Sequence, residues 1–143
     1  MEYSIGVSDK TGFLGGLSMS WIQDKDNYQS YFTVGSIGVA GSVGYGRKHY
    51  FFKVKYLSGY ISSTGFGYYI LPLSENGDLF TGLGLSGNLG IDFSPIKWKE
   101  NELKFHIGLL ASCDPLRSEN LIVPGEGGPS FLMPSFNIKV VYF

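Results

Sequence analysis

From Leu79 to Phe93 the chain alternates without a break. Leu79, Thr81, Leu83, Leu85, Gly87, Leu89, Ile91 and Phe93 hold one parity, and Phe80, Gly82, Gly84, Ser86, Asn88, Gly90 and Asp92 hold the other. A period of two belongs to an extended strand, whose side chains point to opposite faces in turn. One face is almost wholly apolar, and the other is chiefly glycine, serine, asparagine and aspartate. The run exceeds the roughly 9–11 residues that a tilted strand needs to cross a bilayer, whereas globular strands average about 5–6.

The pattern returns elsewhere. Leu103, Phe105, Ile107, Leu109 and Ala111 alternate with Lys104, His106, Gly108, Leu110 and Ser112, and Tyr50, Phe52, Val54, Tyr56 and Tyr60 with Phe51, Lys53, Lys55, Leu57 and Gly59. Shorter pieces are Tyr3, Ile5 and Val7; Leu17, Met19 and Trp21; and Thr33, Ile37, Val39, Val43 and Tyr45. No segment carries a convincing helical period.

Turn-forming clusters separate the runs at residues 9–12, 23–27, 46–49, 62–65 and 75–78, the last with the hairpin-marking pair Asn76-Gly77. Longer connections follow at 94–101 and from Asp114 to about Ser130. The spacing predicts eight strands, near 2–8, 13–22, 28–45, 48–61, 65–73, 78–93, 102–113 and 131–143. The expected fold is all-β: one domain over residues 1–143, an antiparallel up-and-down barrel that closes without an exposed edge.

Composition sets the environment. Charged residues are 16% of the chain against a usual value of about 25%, aromatics are also 16%, and there are 21 glycines. No run of about 18 apolar residues exists, so a transmembrane helix is excluded and a closed barrel is the remaining way to span a membrane. A net charge of -1 gives no basic footprint for nucleic acid. The single cysteine, Cys113, offers neither an internal disulfide nor a thiol pair for a metal, and no metal or other cofactor is expected. The first residues lack a basic and apolar leader, so the expectation is a mature chain from which a leader was removed.

A soluble barrel turns polar residues to water and fills its interior with apolar ones, and a membrane barrel reverses this. Opposite the apolar stripe stand small residues rather than a lysine and glutamate carpet. Aromatics near predicted strand ends (Tyr3, Trp21, Tyr28, Tyr31, Tyr45, Tyr50, Tyr60, Tyr68, Tyr69, Phe93, Trp98, Tyr142) suit interface girdles. Leu79, Leu83, Leu85, Leu89, Ile91, Phe105, Ile107 and Leu109 are therefore expected to face lipid.

The chain closes with Asn137-Ile138-Lys139-Val140-Val141-Tyr142-Phe143. A terminal aromatic on a last strand resembles the assembly signal of small, about eight-stranded bacterial outer-membrane β-barrels. Phe136, Ile138, Val140 and Tyr142 form the apolar set here, with Lys139 on the parity of Phe143. The resemblance implies a transmembrane barrel in the outer membrane of a Gram-negative bacterium. Membrane lipid would be its partner, and another outer-membrane or cell-surface protein a further one. The implied role is structural, adhesive or accessory, through loops and outer surface.

Lys53, Lys55, Asp92, Lys104 and His106 fall on the lumen parity, where charges must be paired or hydrated, and are expected to form an internal polar network. Arg47, Lys48 and His49 form a basic hairpin tip suited to phosphate groups of lipopolysaccharide. No catalytic set is assigned: His106 and Ser112 share a face but lie roughly 20 Å apart along a strand. His49 reaches Ser118, Asp114 or Cys113 only if their loops share a rim. Two other readings stay open, a lipid-modifying outer-membrane enzyme and a soluble lipocalin-like barrel around an apolar ligand. The 114–130 connection, with Leu121, Ile122 and Val123, is expected to bind a partner or cover the lumen.

Overall fold

The computed structural model describes residues 1–7, 10, 16–71, 79–113 and 131–142. It contains eight strands: β1 (Glu2–Gly6), β2 (Leu17–Asp24), β3 (Tyr28–Ser36), β4 (Ala40–Val54), β5 (Leu57–Ile70), β6 (Phe80–Trp98), β7 (Asn101–Cys113) and β8 (Phe131–Tyr142). Each pairs antiparallel with the next, and β8 returns to β1 through pairs such as Ser4 with Lys139 and Ile5 with Ile138. The result is the closed up-and-down barrel that the alternation predicts, with no unpaired edge. The predicted loop of residues 114–130 and the terminal Phe143 lie outside the described residues.

The connections divide by end. Residues 25–27, 55–56 and 99–100 make tight turns at the end where Met1 meets Tyr142, through Met1 N to Tyr142 O at 2.6 Å and Tyr142 N to Met1 O at 2.7 Å. The opposite end carries connections 7–16, 37–39, 71–79 and 114–130.

The strand division differs from the sequence reading between residues 28 and 73. Residues 46–49 lie inside β4 and residues 62–65 inside β5; neither is a turn. The actual turns are 37–39, where Gly38 takes a positive φ of 88°, and 55–56, which has no glycine, proline or asparagine to mark it. Glycine and serine in mid-strand fill the barrel wall here instead of breaking it. A register shift between Tyr50 and Phe52 then moves the alternation out of phase, as a bulge does. Tyr60, expected outward, is enclosed in the lumen (0% exposed), while Phe51 faces out. Tyr31 and Tyr68, read as girdle aromatics, and Thr33, read with the apolar row, are also buried inside.

Over β6, β7 and β8 the parities hold. Leu83 (56% exposed), Leu85 (54%), Leu89 (53%) and Ile107 (67%) face out, as do Leu79, Ile91, Phe105 and Leu109. The buried set is largely polar, including Ser20, Thr33, Ser42, Lys48, Thr64, Asn88, Asp92, His106, Ser135 and Lys139.

Large lumen side chains fit because glycines stand opposite them. The register pairs Tyr31 with Gly46, Tyr60 with Gly90, Phe66 with Gly84 and Tyr68 with Gly82. A Cβ at Gly82 would come within 2.5 Å of the Tyr68 ring, and one at Gly84 would run into the Phe66 ring. Outward Gly65 is different: a Cβ there meets nothing closer than Leu85 Cδ2 at 3.7 Å. Gly84→Val is therefore expected to destabilise the barrel by about 1–3 kcal/mol through overpacking, and Gly65→Val by less than about 0.5 kcal/mol. Urea unfolding followed by tryptophan fluorescence measures both.

Candidate functional site

Five strands send polar side chains to one level of the lumen. Inward parity places Lys48 on β4, Tyr60 on β5, Asn88 and Asp92 on β6, His106 on β7, and Ser135 and Lys139 on β8. Asp92 is the hub. Its Oδ2 accepts from Lys48 Nζ at 2.5 Å, and its Oδ1 lies 3.3 Å from both Lys139 Nζ and His106 Nδ1. The Lys48 ammonium also sits over the Tyr60 ring, 3.4 Å from its centroid, a cation–π contact out of water.

Hydrogen bonds extend this cluster along the barrel. Asn88 Nδ2 donates to Ser135 Oγ at 2.7 Å, Ser135 Oγ lies 2.9 Å from His106 Nε2, and the Tyr60 hydroxyl is 2.8 Å from His106 Nδ1. A consistent set of donors runs from the Asn88 amide to Ser135, from the Ser135 hydroxyl to Nε2, from Nδ1–H to the Tyr60 oxygen, and from the Tyr60 hydroxyl back to Asn88 Oδ1 at 3.4 Å. A second pair, Lys10 with Glu2 at 2.7 Å, is equally enclosed.

Of the expected network, Asp92 and His106 are at its centre. Lys104 stands at the mouth on the turn side, 3.2 Å from Glu102, which Lys97 also approaches at 3.2 Å. Lys53 and Lys55 are exposed beside the 55–56 turn and line the same mouth, with Lys53 Nζ 3.4 Å from the Asp26 carbonyl. Lys53 is the last but one residue of β4 and Lys55 lies in the turn beyond it, so both stand at the rim. Sequence alone does not mark Lys48, Lys139, Tyr60, Asn88 and Ser135 as network members. Lys139 had a signal, its place on the polar parity of a strongly apolar strand. Lys48 had one only once residues 46–49 are read as strand.

The basic tip expected from Arg47, Lys48 and His49 does not exist. All three lie within β4, Lys48 pointing inward and Arg47 and His49 outward. His49 lies toward the tight-turn end and Cys113 ends β7 at the other, so the two share no rim; Asp114 and Ser118 lie outside the described residues.

Asp92, His106 and Ser135 stand in the order orienter, base and nucleophile of a hydrolytic triad, with Ser135 hydrogen-bonded to Nε2 and Asp92 3.3 Å from Nδ1. Ser135 is 0% exposed, however, and its Oγ already receives the Asn88 amide. No acyl carbon reaches it, and the arrangement acts as a brace. Among the described residues no group of three or more His, Cys, Asp or Glu side chains converges as a metal site. Comparison with family models, curated proteins and solved structures finds no match to this chain.

Removing one partner from a buried ion cluster leaves the others uncompensated. Asp92→Asn is expected to cost about 3–5 kcal/mol in urea unfolding, whereas Lys97→Gln, at the solvated mouth, costs less than about 1 kcal/mol. A fluorophosphonate serine probe should leave Ser135 unlabelled while the barrel is folded, as intact-mass measurement would show.

Proposed function

We propose that the chain is an outer-membrane β-barrel of a Gram-negative bacterium, with membrane lipid as its first partner. Its role is structural, adhesive or accessory, exerted through loops and outer wall. The observation that carries this reading is the inversion of inside and outside. Leucine, isoleucine and aromatic side chains cover the outer wall, while lysine, aspartate, histidine, serine and asparagine are enclosed. In water this wall would be a contiguous apolar surface far larger than soluble monomers present. In hydrocarbon it is the favourable arrangement, and every strand of a closed barrel satisfies its backbone there.

Two further features support the reading. Tyr3, Trp21, Phe51, Phe93 and Tyr142 face outward within a few residues of the tight-turn end, forming half of the expected girdle pair. Short turns at one end and, apart from 37–39, longer connections at the other match the periplasmic and extracellular sides of such barrels. Lysines and tyrosines crowd the lumen, so large solutes are not its cargo.

The same wall distinguishes this reading from a soluble barrel. Leu89→Arg is expected to lower stability in lipid or detergent by about 2–4 kcal/mol, the cost of a cation at mid-bilayer. In a soluble barrel the same exposed substitution would be nearly neutral. The wild-type protein should require detergent and migrate differently on gels before and after boiling. A monomer that stays soluble in buffer alone would overturn the assignment.

A further inference from the structure

Inward glycines are filled by neighbours, but among the described strand residues three outward ones are not. Gly65 and Gly67 on β5 and Gly87 on β6 have no atom closer than 3.6 Å to an added Cβ. The first two leave a furrow in the outer wall. Its floor is Gly65 and Gly67, its sides are Val43 and Tyr45 of β4 and Leu83 and Leu85 of β6, and its lower end reaches Arg47 and Ser63. A strip of this kind accepts a straight, flexible apolar chain lying along the barrel.

At the foot of the furrow are cations. The Tyr28 ring has Lys25 Nζ at 5.4 Å and Arg47 Cζ at 5.5 Å from its centroid, and the His49 ring at 5.8 Å. Arg47 pairs by backbone with Ser30, and Tyr28 pairs with His49. The Arg47 side chain therefore leans one pair toward the tight-turn end, carrying its charge out of the apolar band to the aromatic level. No acidic residue stands on the outward rows of β3, β4 or β5 among the described residues. Nearby Asp24 is held by Gln29 Nε2 at 2.8 Å and lines the mouth instead, and Asp26 lies in the 25–27 turn.

We propose that this face binds one glycerophospholipid of the leaflet on the tight-turn side. The phosphate sits against Arg47, Lys25 and His49, and an acyl chain lies in the Gly65–Gly67 furrow. Arg47 supplies paired N–H donors to phosphate oxygens, and Tyr28 holds the cations in place. The spacing suits the ligand, because the charged end and the apolar groove follow each other along the wall as headgroup and chain do. The proposal rests on the outer-membrane reading and adds a specific lipid site to it.

Native mass spectrometry of protein refolded with dioleoylphosphatidylglycerol tests this. Each variant is first checked for the boiling-dependent gel shift, so that misfolded protein is not counted. The expected result is one retained lipid per barrel, not displaced by excess inorganic phosphate. Retention should weaken about tenfold in Arg47→Gln, through loss of a charge-assisted contact. It should weaken similarly in Gly67→Leu, which fills the furrow, and remain unchanged in Lys97→Gln at the mouth. Lys25→Gln serves as a second headgroup variant should Arg47→Gln not fold. Equal retention in all folded variants would overturn the site. So would displacement by inorganic phosphate, which would mark an ion site without a chain, or a dimer dissolved by Gly67→Leu, which would mark a second copy as the occupant. A wild-type protein that inserts into vesicles but retains no lipid sinks this proposal alone; one that fails to insert sinks the outer-membrane reading with it.

Discussion

Asp92 carries its charge in the interior of an eight-stranded tube, a space about wide enough for side chains and little else. A carboxylate so enclosed is tolerable only when cations and donors converge on it, and here Lys48, Lys139 and His106 do so from three other strands. That convergence fixes more than a local contact. It ties β4, β6, β7 and β8 across the lumen in one register, because a slip of one residue would turn each of these groups to the outer wall. Ser135, Asn88 and Tyr60 then follow as the donors and acceptors that leave the cluster satisfied.

Filling a narrow tube with large polar side chains also dictates where the wall must be thin. Tyrosine and phenylalanine rings project into the lumen from one strand and need a neighbour with no side chain of its own. The cross-strand pairs of Tyr31 with Gly46, Tyr60 with Gly90, Phe66 with Gly84 and Tyr68 with Gly82 meet that need. The abundance of glycine is thus partly a packing requirement, and the outward glycines of β5 and β6 stand apart because nothing requires them in the interior.

Legibility in the sequence divided along the same line. On β6, β7 and β8 one face is leucine, isoleucine and phenylalanine and the other is small or polar, so parity revealed strands, faces and two members of the charge cluster, Asp92 and His106. On β3, β4 and β5, glycine and serine occur on both faces and tyrosine occurs both in the lumen and outside. Alternation there gives no phase, the Tyr50–Phe52 bulge shifts what phase there is, and the 55–56 turn has no marker residue. Arg47-Lys48-His49 resembled a hairpin tip because three polar residues in succession usually do; in this wall they are one inward ion between two outward ones. The approach of Ser135 to His106 depends on pairing between distant strands and has no local trace in the chain.

The shortest strand closes the tube. β1 has five residues, Glu2–Gly6, yet it carries the pairings to both β2 and β8, while its neighbours across the barrel run to nineteen residues in β6. In a cask this would be the half-length stave, held among the described residues by fewer rungs than any other. Gaps opened by heat or force would start along that seam, and a flanking molecule able to lend a strand would find its foothold there.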